Sequence, residues 1–276
     1  MRRNAFTLVE LLVVVAIIAL LLGILLPSLS QARQAAQASV CASNIRQLFI
    51  ANTGYAVESN DFYVLASEDI FVGNGGYKRW HGVRNSPGVS ANPADNHFDP
   101  ARGPLVAYLG TDGKVKACPT FADYIKAGTR NAFEEGTGGY GYNAQYIGGR
   151  RDLYGPGPLA PRNSAKSIDA VSPATTAMFT DAAVAQNDGA PYLTEYSFCE
   201  PPHWELGGGR LSAMHPSPSI HFRHLERTTV MWTDGHADVE RLTASGPSTY
   251  GVTEAQAREL HLGWFGPDDN SLFDLN

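Results

Sequence analysis

The chain has few charged residues, and clusters of basic residues are rarer still. Charged side chains make up 17% of 276 residues, and the formal net charge is −6. After Arg3, the only adjacent basic residues are Lys78-Arg79 and Arg150-Arg151. A nucleic-acid-binding surface needs a basic patch or stripe, so we expect no nucleic acid among the partners.

The chain also lacks the short motifs of common hydrolases. Neither G-x-S-x-G nor S-x-x-K occurs. Gly136 to Gly141 fits G-x-G-x-x-G by letter, but no apolar strand precedes it and no helical pattern follows. We therefore predict a twisted aromatic strand at this point rather than a nucleotide loop, and we expect no enzymatic activity.

Cysteine is scarce. The sequence contains Cys41, Cys118 and Cys199 and no C-x-x-C, which argues against a cysteine-based zinc site or a thioredoxin-like motif. In an oxidising compartment one disulfide would form and one thiol would be left over. Three pairings are open, and the sequence does not choose among them.

What the chain does have is a long apolar N-terminus. After Arg2 and Arg3 it runs apolar from Phe6 to Leu26, interrupted by the single charge of Glu10. As a helix this run spans roughly 31 Å, about one bilayer core. The positive-inside rule places the two arginines in the cytoplasm and the rest of the chain across the membrane. A carboxylate inside such a segment costs about 2.5 to 3.5 kcal/mol near the bilayer centre, so Glu10 requires an explanation.

A family resemblance supplies that explanation. Arg2-Arg3-Asn4-Ala5 followed by Phe6-Thr7-Leu8-Val9-Glu10-Leu11-Leu12 resembles the class III signal of type IV prepilins and type II secretion pseudopilins. The resemblance implies that a prepilin peptidase removes residues 1–5 by cleavage between Ala5 and Phe6, and that Phe6 is then N-methylated. It also implies that Glu10 meets the free amine of a neighbouring subunit during assembly. Ala5 departs from the family, which usually has Gly there, whereas Pro27 matches a proline common near the end of the apolar segment.

Two other interpretations of the N-terminus stay open. An ordinary secretory signal would be cleaved after Ala32, but its apolar region would be about 7 to 15 residues long. An uncleaved signal anchor fits the length and leaves Glu10 without a role.

The helical pattern continues beyond Pro27. Apolar residues recur at spacings of three and four, with Asn52 as an interruption, and form one stripe: Ala38, Cys41, Ile45, Leu48, Phe49, Tyr55 and Ala56. We predict one helix over residues 6–59, with a membrane part at 6–26 and an amphipathic part at 28–59. Its length would be near 80 Å, with a kink at Pro27. Two helices hinged at Pro27-Ser28 are the alternative.

Residues 60–276 are expected to form an extracytoplasmic α+β head with an antiparallel sheet, so that the whole fold is pilin-like. Short strands are predicted at Phe62–Leu65 and Ala174–Asp181, a helical turn at Pro104–Leu109, and a loop at Gly73–Asp99.

The strongest local prediction is a β-hairpin around Asp234-Gly235. This dipeptide between two alternating segments is typical of a type I′ turn with both central residues at positive φ. In that register Trp232 would face Ala237, and Val230 would face Val239.

The hairpin contains a second resemblance. His224, nine residues, and then Asp234-Gly235 resemble the H-x9-D-G element, here at 224–242, of a large group of prepilin-like proteins (the DUF1559 group). The segments Cys41 to Leu48, Cys118-Pro119 and Gly141-Tyr142-Asn143 are also similar to that group. The role of the group is poorly defined, so the resemblance implies architecture rather than mechanism.

Metal binding is the main chemical alternative in the head. Histidines and carboxylates that are usual zinc ligands crowd into one stretch: His203, His215, His221, His224 and His236, with Glu205 and Asp234. Oxygen donors for calcium occur at Pro267 to Ser271, without a full calcium-loop motif. The simpler interpretation needs no metal: His224 and Asp234 would hold the hairpin ends by hydrogen bonds to backbone, and the acidic tail would be solvated.

The sequence therefore predicts a non-enzymatic structural subunit without a required cofactor. It would sit in the inner membrane with its N-terminus in the cytoplasm, and its partners would be the prepilin peptidase and other pilin-like subunits. It would assemble into a type II secretion pseudopilus or a type IV pilus-like filament, periplasmic or on the surface. The alternative is a signal-anchored extracytoplasmic module that binds a metal or glycan and does not polymerise.

Overall fold

The computed structural model of the chain describes residues 8–72, 76–85, 97–110, 113–126 and 134–276. The predicted cleavage residues Ala5 and Phe6 lie outside these ranges. The described chain is one long N-terminal helix followed by a head of antiparallel sheets, which confirms the predicted α+β, pilin-like fold class.

The helices and strands are short apart from the first helix. In chain order the described elements are α1 (Leu8–Glu58), β1 (Lys78–Arg79), β2 (Gly82–Val83), α2 (Pro119–Lys126), β3 (Tyr140–Tyr142), α3 (Arg151–Tyr154), β4 (Ala177–Asp181), β5 (Val184–Asn187), β6 (Pro191–Thr194), β7 (Ile220–His221), β8 (Arg227–Trp232), β9 (Ala237–Arg241), α4 (Glu254–Glu259) and β10 (Leu262–Gly263). Single 3₁₀ turns lie at Pro100–Arg102, Val106–Tyr108 and Ala160–Arg162.

Helix α1 is continuous through its proline. It contains 51 residues, including Pro27, and is about 77 Å long. The alternative of two hinged helices is therefore wrong. Next to the proline, the Ser28 hydroxyl donates to the carbonyl of Leu25 at 2.9 Å. The helix ends where Asn60 and Asp61 adopt positive φ values of 54° and 68°, which α-helical residues do not have.

One face of the second half of α1 is buried against the head. The buried residues follow the helical period: Cys41, Asn44, Ile45, Leu48, Ala51, Asn52 and Ala56. The polar Asn52 belongs to this face because its amide is fully used inside the core. Its Oδ1 accepts from the backbone of Val64 at 2.9 Å, and its Nδ2 donates to the Tyr142 hydroxyl at 3.1 Å. Asn52 thus fixes the helix to the head rather than interrupting the interface.

The central sheet has four antiparallel strands in the order β3-β4-β8-β9, and α1 packs against β4 and β8. Three two-stranded pairs surround it: β1 with β2, β5 with β6, and β7 with β10. Aromatic residues fill the core beside the sheet. Tyr142 and Phe179 stack with ring centroids 4.7 Å apart, and Trp80 meets Phe179 edge to face at 5.5 Å.

The shorter predicted elements are reproduced unevenly. The strand predicted at Phe62–Leu65 is wrong, since only a single bridge joins Phe62 to Lys166. The predicted loop at Gly73–Asp99 contains strands β1 and β2 within its described part. The predicted aromatic strand is β3, the helical turn is the 3₁₀ turn at Val106–Tyr108, and the strand predicted from Ala174 begins at Ala177.

The hairpin at Asp234-Gly235 exists, but its predicted register is wrong by one residue. Met231 pairs with Ala237 and Thr229 with Val239. The turn is closed by bonds from the Trp232 N–H to His236 O and from the Gly235 N–H to Trp232 O. Of its residues only Gly235 has a positive φ, 90°, so a type I turn followed by a glycine bulge replaces the predicted type I′ turn. The slip moves Val239 to a half-exposed position while Val230 is buried.

A type I′ turn does occur at Leu225-Glu226, where the sequence carries no signal for it. Both residues have positive φ, 55° and 62°. The flanking residues His224 and Arg227 exchange backbone hydrogen bonds of 3.0 and 3.2 Å. This turn reverses the chain between β7 and β8 and places His224 at the edge of the core.

Candidate functional site

The first part of α1 is exposed along its whole described length. Residues 8–36 are all exposed, and up to Leu29 their large side chains are apolar apart from Glu10, for example Leu8 (77% exposed) and Leu29 (66%). Glu10 is the only charged residue between Leu8 and Ala32. Among the described helices, α1 is the one long and apolar enough to cross a membrane. An apolar surface of this size is stable only against lipid or against other protein chains.

The second part of α1 is covalently fixed to the head. Cys41 on α1 forms a disulfide with Cys118, which directly precedes α2, and this settles which of the three pairings is made. The two residues are 77 positions apart, so the loop-entropy relation gives about 4 to 5 kcal/mol of stabilisation. Cys199 remains a buried thiol, and burial raises its pKa, which makes it unreactive.

The histidine of the H-x9-D-G element contacts a buried carboxylate. Asp181 at the end of β4 is fully buried and accepts from Arg223 Nη2 at 3.1 Å and from the Thr229 backbone at 2.8 Å. His224 Nε2 lies 3.5 Å from Asp181 Oδ2, the oxygen that accepts from Thr229, and 3.6 Å from Cys118 Sγ. The prediction that the His224 side chain bonds to backbone is therefore wrong.

The electrostatics of this centre keep Asp181 ionised. Burial alone would raise the pKa of Asp181, but the Arg223 charge, the His224 contact and the Thr229 amide hold that pKa well below its ordinary value. The result is a buried, hydrogen-bonded ion pair directly beside the disulfide that fixes α1.

The other end of the element contacts α1 as well. Asp234 Oδ1 accepts from the His236 backbone at 3.0 Å, which is the expected turn contact. A Cβ on Gly235 would come within 2.8 Å of the Phe49 ring on α1, so this position needs glycine for its space as well as its φ. The residues at the two ends of β8 thus both lie beside α1 or its disulfide.

The structure separates the histidines that the sequence groups together. His221 and His224 lie in the core near Arg223, whereas His236 is at the surface with Asp234, 2.6 Å away. His203 and His215 lie together with Asp268, with their possible ligand atoms all within 4.8 Å of one another. Glu205 is turned away from this group and accepts from the Tyr146 hydroxyl at 3.1 Å. Cys118, beside His224, is in a disulfide and offers no thiolate.

The acidic tail is held by hydrogen bonds within its own loop and to the rest of the head. Asp269 Oδ1 accepts from the backbone and the hydroxyl of Ser271, at 2.9 and 2.5 Å, and these bonds lower the Asp269 pKa. Asn270 is buried, and its amide bonds to His203 and Tyr146. The tail therefore does not present the converging oxygens of a calcium loop.

The glycine-rich segment binds a carboxylate of its own chain. The backbone amides of Gly136, Thr137 and Gly138 donate to one oxygen of Glu195 at 2.8, 2.7 and 3.1 Å. Burial raises the pKa of Glu195, and these donors partly oppose the rise. Since the amides are already paired, the segment does not form a phosphate cradle, in agreement with the sequence prediction.

Comparison with known proteins identifies the N-terminus. Residues 1–26 match the family model of the prokaryotic N-terminal methylation motif. No curated protein and no solved structure matches the chain. Together with the exposed apolar helix and the antiparallel head, the motif indicates a pilin-like protein with a prepilin-type signal. The signal implies processing by a prepilin peptidase and association with the membrane through the N-terminal helix.

Proposed function

We propose that the protein is a non-enzymatic structural subunit that assembles through α1 into a filament of the type II pseudopilus or type IV pilus kind. The observation that carries the proposal is the exposure of α1. Residues 8–36 are exposed, and the protruding helix continues past the apolar run into a segment of small and polar residues. Lipid would cover only the apolar run. Packing of α1 against neighbouring copies would cover the apolar run and also the segment of small and polar residues that follows it.

Glu10 favours a filament over a simple anchor. A carboxylate within an apolar helix is unfavourable near the centre of a lipid bilayer. In a filament core, the new amine at Phe6 of one subunit would pair with Glu10 of the next. Such a pair in a dry core is favourable only when both charges are present and in contact, so it would set the axial position of each subunit.

The disulfide supports the proposed orientation. Cys41–Cys118 joins α1 to the head, and structural disulfides persist in oxidising compartments. An extracytoplasmic head with Arg2 and Arg3 in the cytoplasm agrees with both the disulfide and the positive-inside rule. The filament would then take up subunits from the inner membrane.

The test compares Glu10→Gln with wild type in the native cells. We expect leader removal and methylation to continue, since the cleavage site is intact, while recovery of the protein in sheared or cross-linked filaments falls at least tenfold. Glu259→Gln, which changes an exposed glutamate on α4, is the matched control and should assemble normally. Assembly of Glu10→Gln at the wild-type level would remove the proposed role of Glu10.

A second candidate function is a membrane-anchored glycan-binding module. A cavity of about 230 Å³ is lined by the aromatic side chains of Tyr196, Phe198 and Trp204, with the Glu200 carboxylate and Arg151 among its polar groups. Aromatic faces beside a few polar groups suit a sugar ring. A module of this kind would bind oligosaccharides, lose that binding in Trp204→Ala, and yield no cross-linked α1 contacts between copies.

A further inference from the structure

The surface group formed by His203, His215 and Asp268 has the geometry of a metal site. The two imidazole rings lie 4.6 Å apart between centroids, with an interplanar angle of 39°. His203 Nε2 is 3.3 Å from Asp268 Oδ1. Zinc bonds of about 2.0 to 2.1 Å in a tetrahedron place neighbouring ligand atoms about 3.3 Å apart, so this pair is already at the required spacing.

Hydrogen bonds fix which ring nitrogens are available. His203 Nδ1 lies 2.9 Å from the carbonyl oxygen of Ser212, and His215 Nδ1 lies 2.7 Å from that of Pro202. A carbonyl oxygen only accepts, so each Nδ1 carries a hydrogen. The nitrogen that each ring can offer to a metal ion is therefore Nε2. Histidine ligands of metals are usually oriented in this way, by an Nδ1–H bond to a carbonyl or carboxylate.

The surroundings of His203 Nε2 call for a positive charge. This nitrogen lies 3.2 Å from the backbone oxygen of Asp268 and 3.3 Å from its carboxylate. His203 Nε2, the backbone oxygen of Asp268 and the carboxylate of Asp268 thus face one another. A metal ion bound to Nε2 and to the carboxylate would be stabilised by these facing groups, and it would also use the nitrogen that His215 offers.

Neighbouring residues hold these side chains in place. Buried Asn270 accepts from the His203 backbone N–H at 2.9 Å and donates to the His203 carbonyl at 2.9 Å and to the Tyr146 hydroxyl at 2.7 Å. This clamps the His203 segment to the Asp268 loop. The His215 ring packs on Trp264 at 5.5 Å, and the Trp264 indole donates to Glu200 O at 3.0 Å. Outer contacts of this kind raise metal affinity by limiting the movement of the ligands.

We propose that His203, His215 and Asp268 bind a divalent transition-metal ion of the zinc type, with water in the fourth position. Two imidazoles and one carboxylate favour zinc over magnesium or calcium, which take oxygen ligands. The ion would join three loop segments of the head, around residues 203, 212–215 and 268–270. This site is independent of assembly through α1, so it holds whether or not the subunit polymerises.

The experiment uses the full chain in detergent, stripped with chelator and then equilibrated with zinc alone. Bound zinc is measured by elemental analysis and by calorimetry, and a parallel sample with Co²⁺ is read by visible absorption for tetrahedral coordination. We expect one zinc per chain and a zinc-dependent rise in melting temperature. His215→Gln should weaken binding by about 10- to 100-fold. Since His215 is an exposed residue, the variant should melt as wild type does without metal.

His236→Gln and Asp238→Asn are the matched controls, because they change an exposed histidine and an exposed aspartate outside the group. Both should keep wild-type zinc affinity. Equal affinity of wild type and His215→Gln, or no stoichiometric zinc in the wild type, would overturn the proposal. The cluster would then be a His203–Asp268 ion pair beside an uninvolved His215.

Discussion

At the scale of single residues, the head depends on buried charges that are paired with one another. Arg223 and Asp181 have fully buried side chains, and Arg223 Nη1 also lies 3.2 Å from His221 Nδ1. A second buried pair joins Arg79 to Glu134 at 2.8 Å. Buried pairs of this kind add little net stability as a whole, but loss of one partner leaves an uncompensated charge. Each residue of a pair is therefore needed because the other is present.

Asp181→Asn should lower the free energy of unfolding by about 3 to 5 kcal/mol, because it leaves the Arg223 guanidinium buried without its counter-charge. Denaturant unfolding followed by circular dichroism measures the change. Asp234→Asn is the comparison, since Asp234 is an exposed carboxylate on a turn and its loss should cost about 1 kcal/mol or less. Equal losses in the two variants would mean that the buried centre contributes no more than a surface turn.

His221 should make stability depend on pH. Burial, and next the Arg223 charge, hold the pKa of His221 well below its ordinary value, although Asp181 opposes this while His224 and His261 add to it. Below pH 6.5 the unfolded chain therefore binds a proton that the folded chain does not. Stability is complete above about pH 6.5 and falls as the pH drops towards the folded pKa.

Between pH 7 and 5.5, this single histidine should cost about 1.3 kcal/mol. Unfolding free energies of wild type and His221→Gln at the two pH values measure it, and the variant should lose less stability than wild type by that amount. His81, whose pKa burial also lowers, would continue to contribute in both proteins. If the two proteins showed the same pH dependence, His221 would not be buried in its neutral form.

At the scale of elements, the turn at Leu225-Glu226 is the clearest conflict between local preference and tertiary structure. Residues with a Cβ pay about 1 to 2 kcal/mol in left-handed backbone, and both residues of this turn have one. Glu226→Gly should therefore raise the unfolding free energy by about 1 kcal/mol. Glu226→Ala removes the same charge but keeps the Cβ, so it should give no such gain. A gain as large in the alanine variant would assign the effect to charge.

The helix, the hairpin and this turn could be predicted from the sequence to different degrees. The long helix follows from its apolar run and the three-four spacing beyond it, since both are local patterns. The hairpin was located by Asp234-Gly235, but its register depends on the packing of Phe49 over Gly235, a contact between distant residues. Leu-Glu gives no sign of a type I′ turn, and only the pairing of β4 with β8 imposes one there.

The candidate sites were predictable to different degrees for the same reason. Glu10 stands out in the sequence because a charge in an apolar run is conspicuous. Asp181 does not, because it is 43 positions from His224 and only the sheet brings the two together. The proximity of His203, His215 and Asp268 likewise depends on the hydrogen bonds between Asn270 and the His203 backbone, which no local sequence motif indicates.

At the scale of the whole molecule, two halves of one helix have different tasks. The half from Cys41 onward is fixed to the head by a buried face, by the Cys41–Cys118 disulfide and by the close approach of Phe49 to Gly235. The half before it is exposed from residue 8 to residue 36 and apolar as far as Leu29 apart from Glu10, and the methylation motif covers its start. This division is what a filament subunit requires, since a firmly attached head can follow a helix whose other half is free to pack with neighbours.

The most direct test of this account is the intact mass and N-terminal peptide of the protein isolated from its native membrane. We predict a chain that begins at N-methylated Phe6, lacks residues 1–5 and has two of its three cysteines oxidised. A chain that begins at Met1 would mean an uncleaved anchor, and one that begins at Arg33 would mean an ordinary secreted protein. Either result would contradict prepilin processing and the assembly role of Glu10.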